Sequence, residues 1–463
     1  MKDNTRRVRQ RGRAWRAGLV GLLMPVALGS AAQTPQERQA APAAHPETMT
    51  EFPAPTDGRP MQVPPPSTTV PLAAGFDVRK FEAMAQAMVA DQRIPGMAMA
   101  IVHNGRVLSA RGYGITDVRA AEPVDAHTVF RLASLSKSFA GTIAGVLVSE
   151  GALRWDSKVV DYMPGLQLSD PDAARRVTVA DVLSHRVGLA RHAYDRDIER
   201  GADYNSLVQK LAQAPMTCAP GDCYSYQNVA FSLVGDVVFA TSGQFYNEVV
   251  SRRLFKPLGM NDASLGLEGI QASARWAKPH VRAGRGWNSL MPKPTYYRIA
   301  PAAGVNASIS DMAQWLIAHG GHRPDVLPAP LLATLHAPVV GTPGEMRSRS
   351  ASWRGQRLNA AGYGLGWRIY DYSGHRLVFH GGAVQGYRGL MALMPERDLG
   401  LVILWNSESS LPSGLLPTIL DDAIGLPSQR WLDIDFETLY ASDRRPGNES
   451  VGAGASTSRA NPQ

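Results

Sequence analysis

Residues 131–141 read "RLASLSKSFAG", three serines and a lysine set among apolar residues. The stretch leads into "SLSKSFAGTIAGVLVSEG", where Leu135, Phe139, Ile143, Val146 and Leu147 fall on one helical stripe and Gly151 supplies a C-terminal stop. The spacing predicts a helix beginning at Ser134. Residues three apart share a helical face, so Ser134 and Lys137 are neighbours while Ser136 points elsewhere. Two readings follow. In one, Ser134 caps the helix and Lys137 reaches solvent. In the other, Ser134 is a nucleophile, and a serine hydroxyl needs an adjacent base. Lys137 can serve if burial among Leu135, Phe139 and Ala140 lowers its pKa, because desolvation disfavours the ammonium form.

Two other stretches carry polar groups of the right kind. In "CYSYQNVAFSLVGDVV" (223–238), Tyr226 and Asn228 precede an apolar helical run. Asn228 is placed to cap that helix, and Tyr226 to fill the core. Alternatively Tyr226 shuttles a proton with Lys137 and Asn228 donates to a substrate carbonyl. In "VFHGGAVQGYRG" (378–389), His380 ends a strand and is followed by Gly381 and Gly382, which permit close approach of backbone to ligand. His-Gly-Gly also occurs in the oxyanion loop of α/β-hydrolases, but that fold needs a G-x-S-x-G elbow, which the chain lacks.

The order Ser-x-x-Lys, Tyr-x-Asn, then a strand-borne basic residue and glycines resembles the penicillin-recognising serine hydrolases. The branch is that of class C β-lactamases, D-alanyl-D-alanine peptidases and related esterases. The likeness extends through "FRLASLSKSFAG", "LSHRVGLARH" (183–192), "APGDCYSYQN", "LFKPLGMNDAS" and "PAAGVNASISDMAQWL". The resemblance implies a β-lactamase/transpeptidase-like α+β fold, with a five-stranded antiparallel sheet flanked by helices and an inserted all-helical region. It implies Ser134 as the acylated nucleophile, Lys137 as its proton partner and Tyr226 as the general base. Asn228 would hold the substrate amide, and the N–H groups of Ser134 and Ala383, beside Gly382, would form the oxyanion hole. The departure is at His380, where β-lactamases usually carry Lys-Thr-Gly. Histidine is only partly charged near pH 7, so recognition of a substrate carboxylate through His380 is expected to weaken as pH rises. The implied function is cleavage of a β-lactam, a D-amino-acid peptide or a carboxylic ester, with a catalytically silent binder of peptides or cell-wall fragments as the alternative.

Local patterns agree with that fold. "DVRKFEAMAQAMVADQ" reads as a helix, and "MAMAIVH" and "RVLSARGYG" as strands joined by Asn-Gly, a strong hairpin signal. Near the other end, "YGLGWRIYDY", "RLVFHG", "GYRGLMALM" and "LGLVILWN" read as four strands, and "LLPTILDDAIGL" as a closing helix. The expected architecture is a sheet built from both chain ends around a helical insertion, with a cleft between the two.

The 463 residues carry a net charge of +8, with 44% hydrophobic and 19% charged residues. Residues 1–32 hold seven basic side chains and one acidic, so little excess remains elsewhere and no nucleic-acid partner is expected. Their basic start, apolar run and "SAAQ" read as a signal peptide, suited to a Sec signal better than a twin-arginine one, with export to a periplasm or the exterior. The run is too short for a stable membrane span. Residues 33–75 hold ten prolines and read as a linker, 76–440 as the hydrolase domain, and 441–463 as a disordered tail. Cys218 and Cys223 flank the turn pair Pro220-Gly221, and in an oxidising compartment a small-loop disulfide is expected. Two cysteines and scattered histidines suggest no metal and no cofactor. The expected partner is a small-molecule or peptide substrate.

Overall fold

The computed structural model describes residues 66, 68–90, 92–347, 352–427 and 429–432. The expected signal peptide, most of the linker and the tail lie outside the described residues. Val70 and Ala73 donate backbone hydrogen bonds to Glu396 and Ala423, so the domain's packed part starts several residues before 76.

The first helix, α1 (Val78–Ala90), leads into strands β1 (Gly96–His103) and β2 (Arg106–Gly114). Asn104 and Gly105 join them, both with positive φ, as a two-residue hairpin turn requires. The helical middle of the chain includes α2 (Ser136–Ser149), α3 (Leu233–Ser242) and α4 (Ile309–Ile317). After it come β3 (Val340–Gly341), β4 (Leu358–Tyr363), β5 (Arg368–Tyr372), β6 (His375–Val384), β7 (Tyr387–Met394) and β8 (Leu399–Trp405). Helix α5 (Leu415–Ile424) closes the domain. The strands form one antiparallel sheet in the order β2-β1-β8-β7-β6-β5-β4-β3. Strands from the two ends of the domain sequence, β1 and β8, are neighbours inside it, with Met97 paired to Trp405.

The α+β class is as expected; the strand count is eight, not five. Part of the difference lies at residues 363–372, which read as one strand: Tyr363 ends β4, and only 368–372 form β5. The chain turns between Tyr363 and Arg368, with Gly364 N–H donating to Trp367 O, and Gly366 adopts φ +84°. A left-handed φ is accessible to glycine at no steric cost, so the Gly-Leu-Gly sequence breaks what hydropathy alone runs together. This turn also seats the helix behind it. Gly141 of α2 abuts Leu365 O so closely that a Cβ there would clash, and Gly366 lies as tightly against Lys137 O.

Strand alternation divides the core. Met97, Met99 and Ile101 of β1 face one side with Leu401 and Ile403 of β8, under Phe81, Met88, Ile419 and Leu420 of α1 and α5. Ala98 and Ala100 face the other side with Val402 and Leu404, against Phe139, Ile143, Trp315 and Leu316 of α2 and α4. Because both faces are covered, β1 is buried except at His103. Among the described residues, no helix is long and apolar enough to cross a membrane.

One polar cluster lies inside the second core. His319 Nδ1 and His336 Nε2 are 3.0 Å apart, and Thr142 Oγ1 of α2 is 3.3 Å from His319 Nε2. Trp315 and Trp367 pack on the His319 ring. Burial pushes the His336 pKa down to about 3 and His319 well below its ordinary value, with Arg376 adding for His336 and His336 for His319. Both rings are therefore neutral in the fold, and unfolding restores a pKa near 6.5. A depressed histidine contributes stability that is full above the unfolded value and lost as pH falls below it. The melting temperature is expected to drop steeply from pH 7.5 to 4.5. A His336→Gln variant should show a shallower fall, and an unchanged slope would refute this source of acid lability.

Candidate active site

Ser134 sits in a 3₁₀ turn, Ala133–Leu135, that precedes α2 rather than in its first turn. It makes no capping bond, so the capping reading is set aside. Ala133 before it holds φ +49°, a conformation costly for a residue with a Cβ and found where surrounding structure enforces it. Ser136 indeed points elsewhere, accepting from Val305 N–H at 3.0 Å.

Lys137 is wholly buried. Its Nζ donates to Asn228 Oδ1 at 2.8 Å, to Ala302 O at 3.1 Å and to Ser134 Oγ at 3.4 Å. Three acceptors match the three donors of an ammonium. Burial nevertheless lowers its pKa, opposed by the nearby Tyr226 and Asp195 and reinforced by Arg368. Tyr226 is largely buried, yet its hydroxyl lies 3.0 Å from Ser134 Oγ, and Lys137 Nζ stands 4.8 Å from its ring centre. Serine, lysine and tyrosine thus converge on one point of the cleft.

The wall behind Tyr226 is made by residues 181–192. The His185 ring centre lies 4.3 Å from that of Tyr226, and His185 Nδ1 accepts the Gln227 N–H. Burial keeps His185 well below its ordinary pKa, with Lys137 and Arg368 adding to the effect. Cys218 and Cys223 form the expected disulfide. Its loop docks on the same wall, with Gly221 N–H donating to Arg186 O and Thr217 N–H to Gly188 O. Asn228 does not cap a helix: the following helical turn starts at Ala230, has Val229 at its cap position and lacks a side-chain cap bond. The Asn228 amide instead bridges Lys137 and Asp195, donating to Asp195 Oδ2 at 2.9 Å.

Strand β6 supplies the opposite edge. A Cβ at Gly382 would clash with Leu132 O and approach Ser134 N to 3.2 Å. Glycine there is what lets the strand backbone lie against the nucleophile turn, with Ala383 exposed just beyond it. His380 requires a correction. Its ring is fully buried, with Nδ1 donating to Gly381 O at 2.8 Å and Nε2 3.1 Å from the Tyr363 hydroxyl. Burial, then the Arg368 and Lys137 charges, hold its pKa well below the ordinary value. Buried, and with burial and both cations favouring its neutral form, the imidazole does not offer the expected pH-dependent charge to a substrate carboxylate.

The neighbouring strand carries a permanent cation close by. Arg368 of β5 sits 5.7 Å from the Tyr226 ring centre and 5.6 Å from that of Tyr363, and pairs with Glu345. No periodicity marked Arg368, since a lone arginine in a strand carries no signal until its neighbours are known. Asp195 was missed for the same reason. Beyond Ala383 the cleft continues into a cavity of about 390 Å³ lined in part by Arg131, Lys293, Tyr296 and Glu199. Among the described residues, no cluster of His, Cys, Asp or Glu suits a metal ion.

An antiparallel sheet with a helical insertion, and a serine, lysine and tyrosine meeting at their junction, define a serine hydrolase. The chain belongs to the β-lactamase family, whose model matches residues 81–425. It is 28% identical to penicillin-binding protein 4 of Amycolatopsis lactamdurans over 72% of this chain and 86% of that protein. It is 24% identical to the unguisins hydrolase ungD of Aspergillus violaceofuscus over 79% of this chain and 67% of that protein. Among solved structures, the octameric penicillin-binding protein homologue from Pyrococcus abyssi shares the fold. The TM-score is 0.67 at 24% identity, covering 80% of this chain and 82% of that one.

Proposed function

We propose that this hydrolase is exported and cleaves an ester or an uncharged amide through an acyl-enzyme on Ser134. The carrying observation is the Ser134 hydroxyl, 3.0 Å from Tyr226 Oη and 3.4 Å from Lys137 Nζ. Tyr226 receives the Ser134 Oγ proton and passes its own hydroxyl proton to a neutral Lys137 as Oγ attacks the carbonyl carbon. The oxyanion forms against the N–H groups of Ser134 and Ala383. The proton passes to the leaving group as its bond to the acyl carbon breaks. Water then attacks the acyl carbon and gives a proton to the same relay, which returns it to Ser134 Oγ as the acyl carbon–Oγ bond breaks and the acid leaves. Export rests on residues 1–32, with their basic start and short apolar run.

The substrate preference follows from charge. The lysine and hydroxyl that meet a carboxylate in Lys-Thr-Gly sites are here a neutral buried imidazole and a glycine, and Arg368 is already paired with Glu345. This supports an esterase or amidase of the class C-like branch over a cephalosporinase. A chromogenic cephalosporin, a p-nitrophenyl short-chain ester and a D-Ala-D-Ala peptide test it. The ester should be turned over fastest, with an ester-to-cephalosporin ratio flat between pH 6 and 8. A cephalosporin turned over fastest would overturn the preference.

A further inference from the structure

The loop 190–195 touches the site at three points. His192 N–H donates to Tyr226 O at 2.9 Å, and its ring centre stands 5.4 Å from the Tyr226 ring. His192 Nδ1 lies 2.7 Å from Asp195 Oδ2. The same oxygen accepts from Asn228 Nδ2, whose amide oxygen accepts from Lys137. An unbroken line of hydrogen bonds thus runs from His192, partly exposed, to the buried lysine. Its turn is not a relaxed one: His192 and Tyr194 both hold positive φ, near 57° and 65°, and such strain persists only where surrounding contacts impose it.

We propose that Asp195, clamped by His192, is a positioning residue that locks the Asn228 carboxamide with its oxygen on Lys137 throughout the reaction. The inference rests on the acyl-enzyme reading above. An amide has two nearly isosteric orientations, and only its partners choose between them. A charged lysine donates and so selects the amide oxygen. A neutral lysine can also accept, and then no longer selects. Lys137 exchanges a proton with Ser134 and Tyr226 during turnover, so it cannot hold Asn228 alone. Asp195, an obligate acceptor when ionised, keeps one amide N–H on itself in both states. The second N–H is then available to the substrate in a fixed direction.

The same carboxylate acts on Lys137 electrostatically. The groups facing the ammonium are Tyr226, Asp195, Arg368 of β5, and the neutral His185 and His380. Asp195 itself faces His192, Asn228, Lys137 and Tyr296. Of these, Asp195 is the carboxylate that favours the charged lysine. Removing its charge lowers the Lys137 pKa further.

The test uses hydrolysis of p-nitrophenyl acetate, covalent labelling by a fluorophosphonate, and thermal unfolding, on the wild type and three variants. Asp195→Asn should lose about 100-fold in kcat/KM, the scale of a misplaced reacting group. The limb of its pH profile that reports Lys137 should move to lower pH. His192→Gln, whose amide still donates to Asp195, should keep the wild-type midpoint. Should Asp195→Asn fail to fold, Asp195→Glu carries the test: it retains the charge, so its rate should fall while its midpoint stays. An Asp195→Asn midpoint equal to the wild type, or an Asp195→Glu midpoint that moves, overturns the proposal. A wild type that takes up no fluorophosphonate at Ser134 would instead remove the acyl-enzyme reading, and this inference with it.

Discussion

Ser134→Ala is expected to lose on the order of 10⁶-fold in kcat, the scale on which removing a serine nucleophile from a triad-type site acts. It should also lose all covalent labelling by a β-lactam or fluorophosphonate probe. The fold should survive, because Ser134 caps no helix and, among the described residues, its hydroxyl bonds to Tyr226 and Lys137 alone. Intact mass, peptide mapping and a melting curve on wild type and variant decide it. A label that persists in the variant would place the nucleophile elsewhere.

Gly141→Ala should be strongly destabilising. The added Cβ would sit inside contact distance of Leu365 O, backbone against backbone, with no flexible side chain to give way. Overpacking of this kind costs about 3 kcal/mol. The helix that must shift carries Lys137 four residues earlier, so esterase activity should fall beyond what lost stability explains. Gly151→Ala is the control. That glycine has φ +73° and open space around it, so the change should cost only about 1 kcal/mol of backbone strain and leave the rate alone. Equal losses in the two variants would show that α2 does not depend on the close approach.

The parts of this structure that were legible in the sequence are those decided locally. The Asn104-Gly105 hairpin and the one-turn spacing of Ser134 and Lys137 depend on neighbours in the chain, and both are found in place. Tyr226 lies 92 positions from Ser134, and no period links them; family resemblance brought it in. The split of 363–372 was hidden because Leu365 and Trp367 continue the apolar run while the break is made by glycine φ. His380 shows a different limit. Its type and strand position were readable, but its charge state is set by Tyr363, Arg368 and total burial, which are properties of the assembled sheet. Asn228 likewise had a local role available as a cap, and tertiary partners of opposite character, Lys137 and Asp195, claimed its amide.

The pairing of β1 with β8 puts the last of these strands inside the sheet, third of eight, and not at an edge. During translation the β1–β2 hairpin emerges early and must wait, one edge open, for almost all the remaining chain. Met97, Met99 and Ile101 have only the α1 part of their cover for that interval, an opening for self-association that a holding chaperone would have to shield. A ribosome that stops before Leu399 leaves β1 and β7 each lacking its shared neighbour. A late stop codon in this gene therefore removes the keystone of the domain and not its margin.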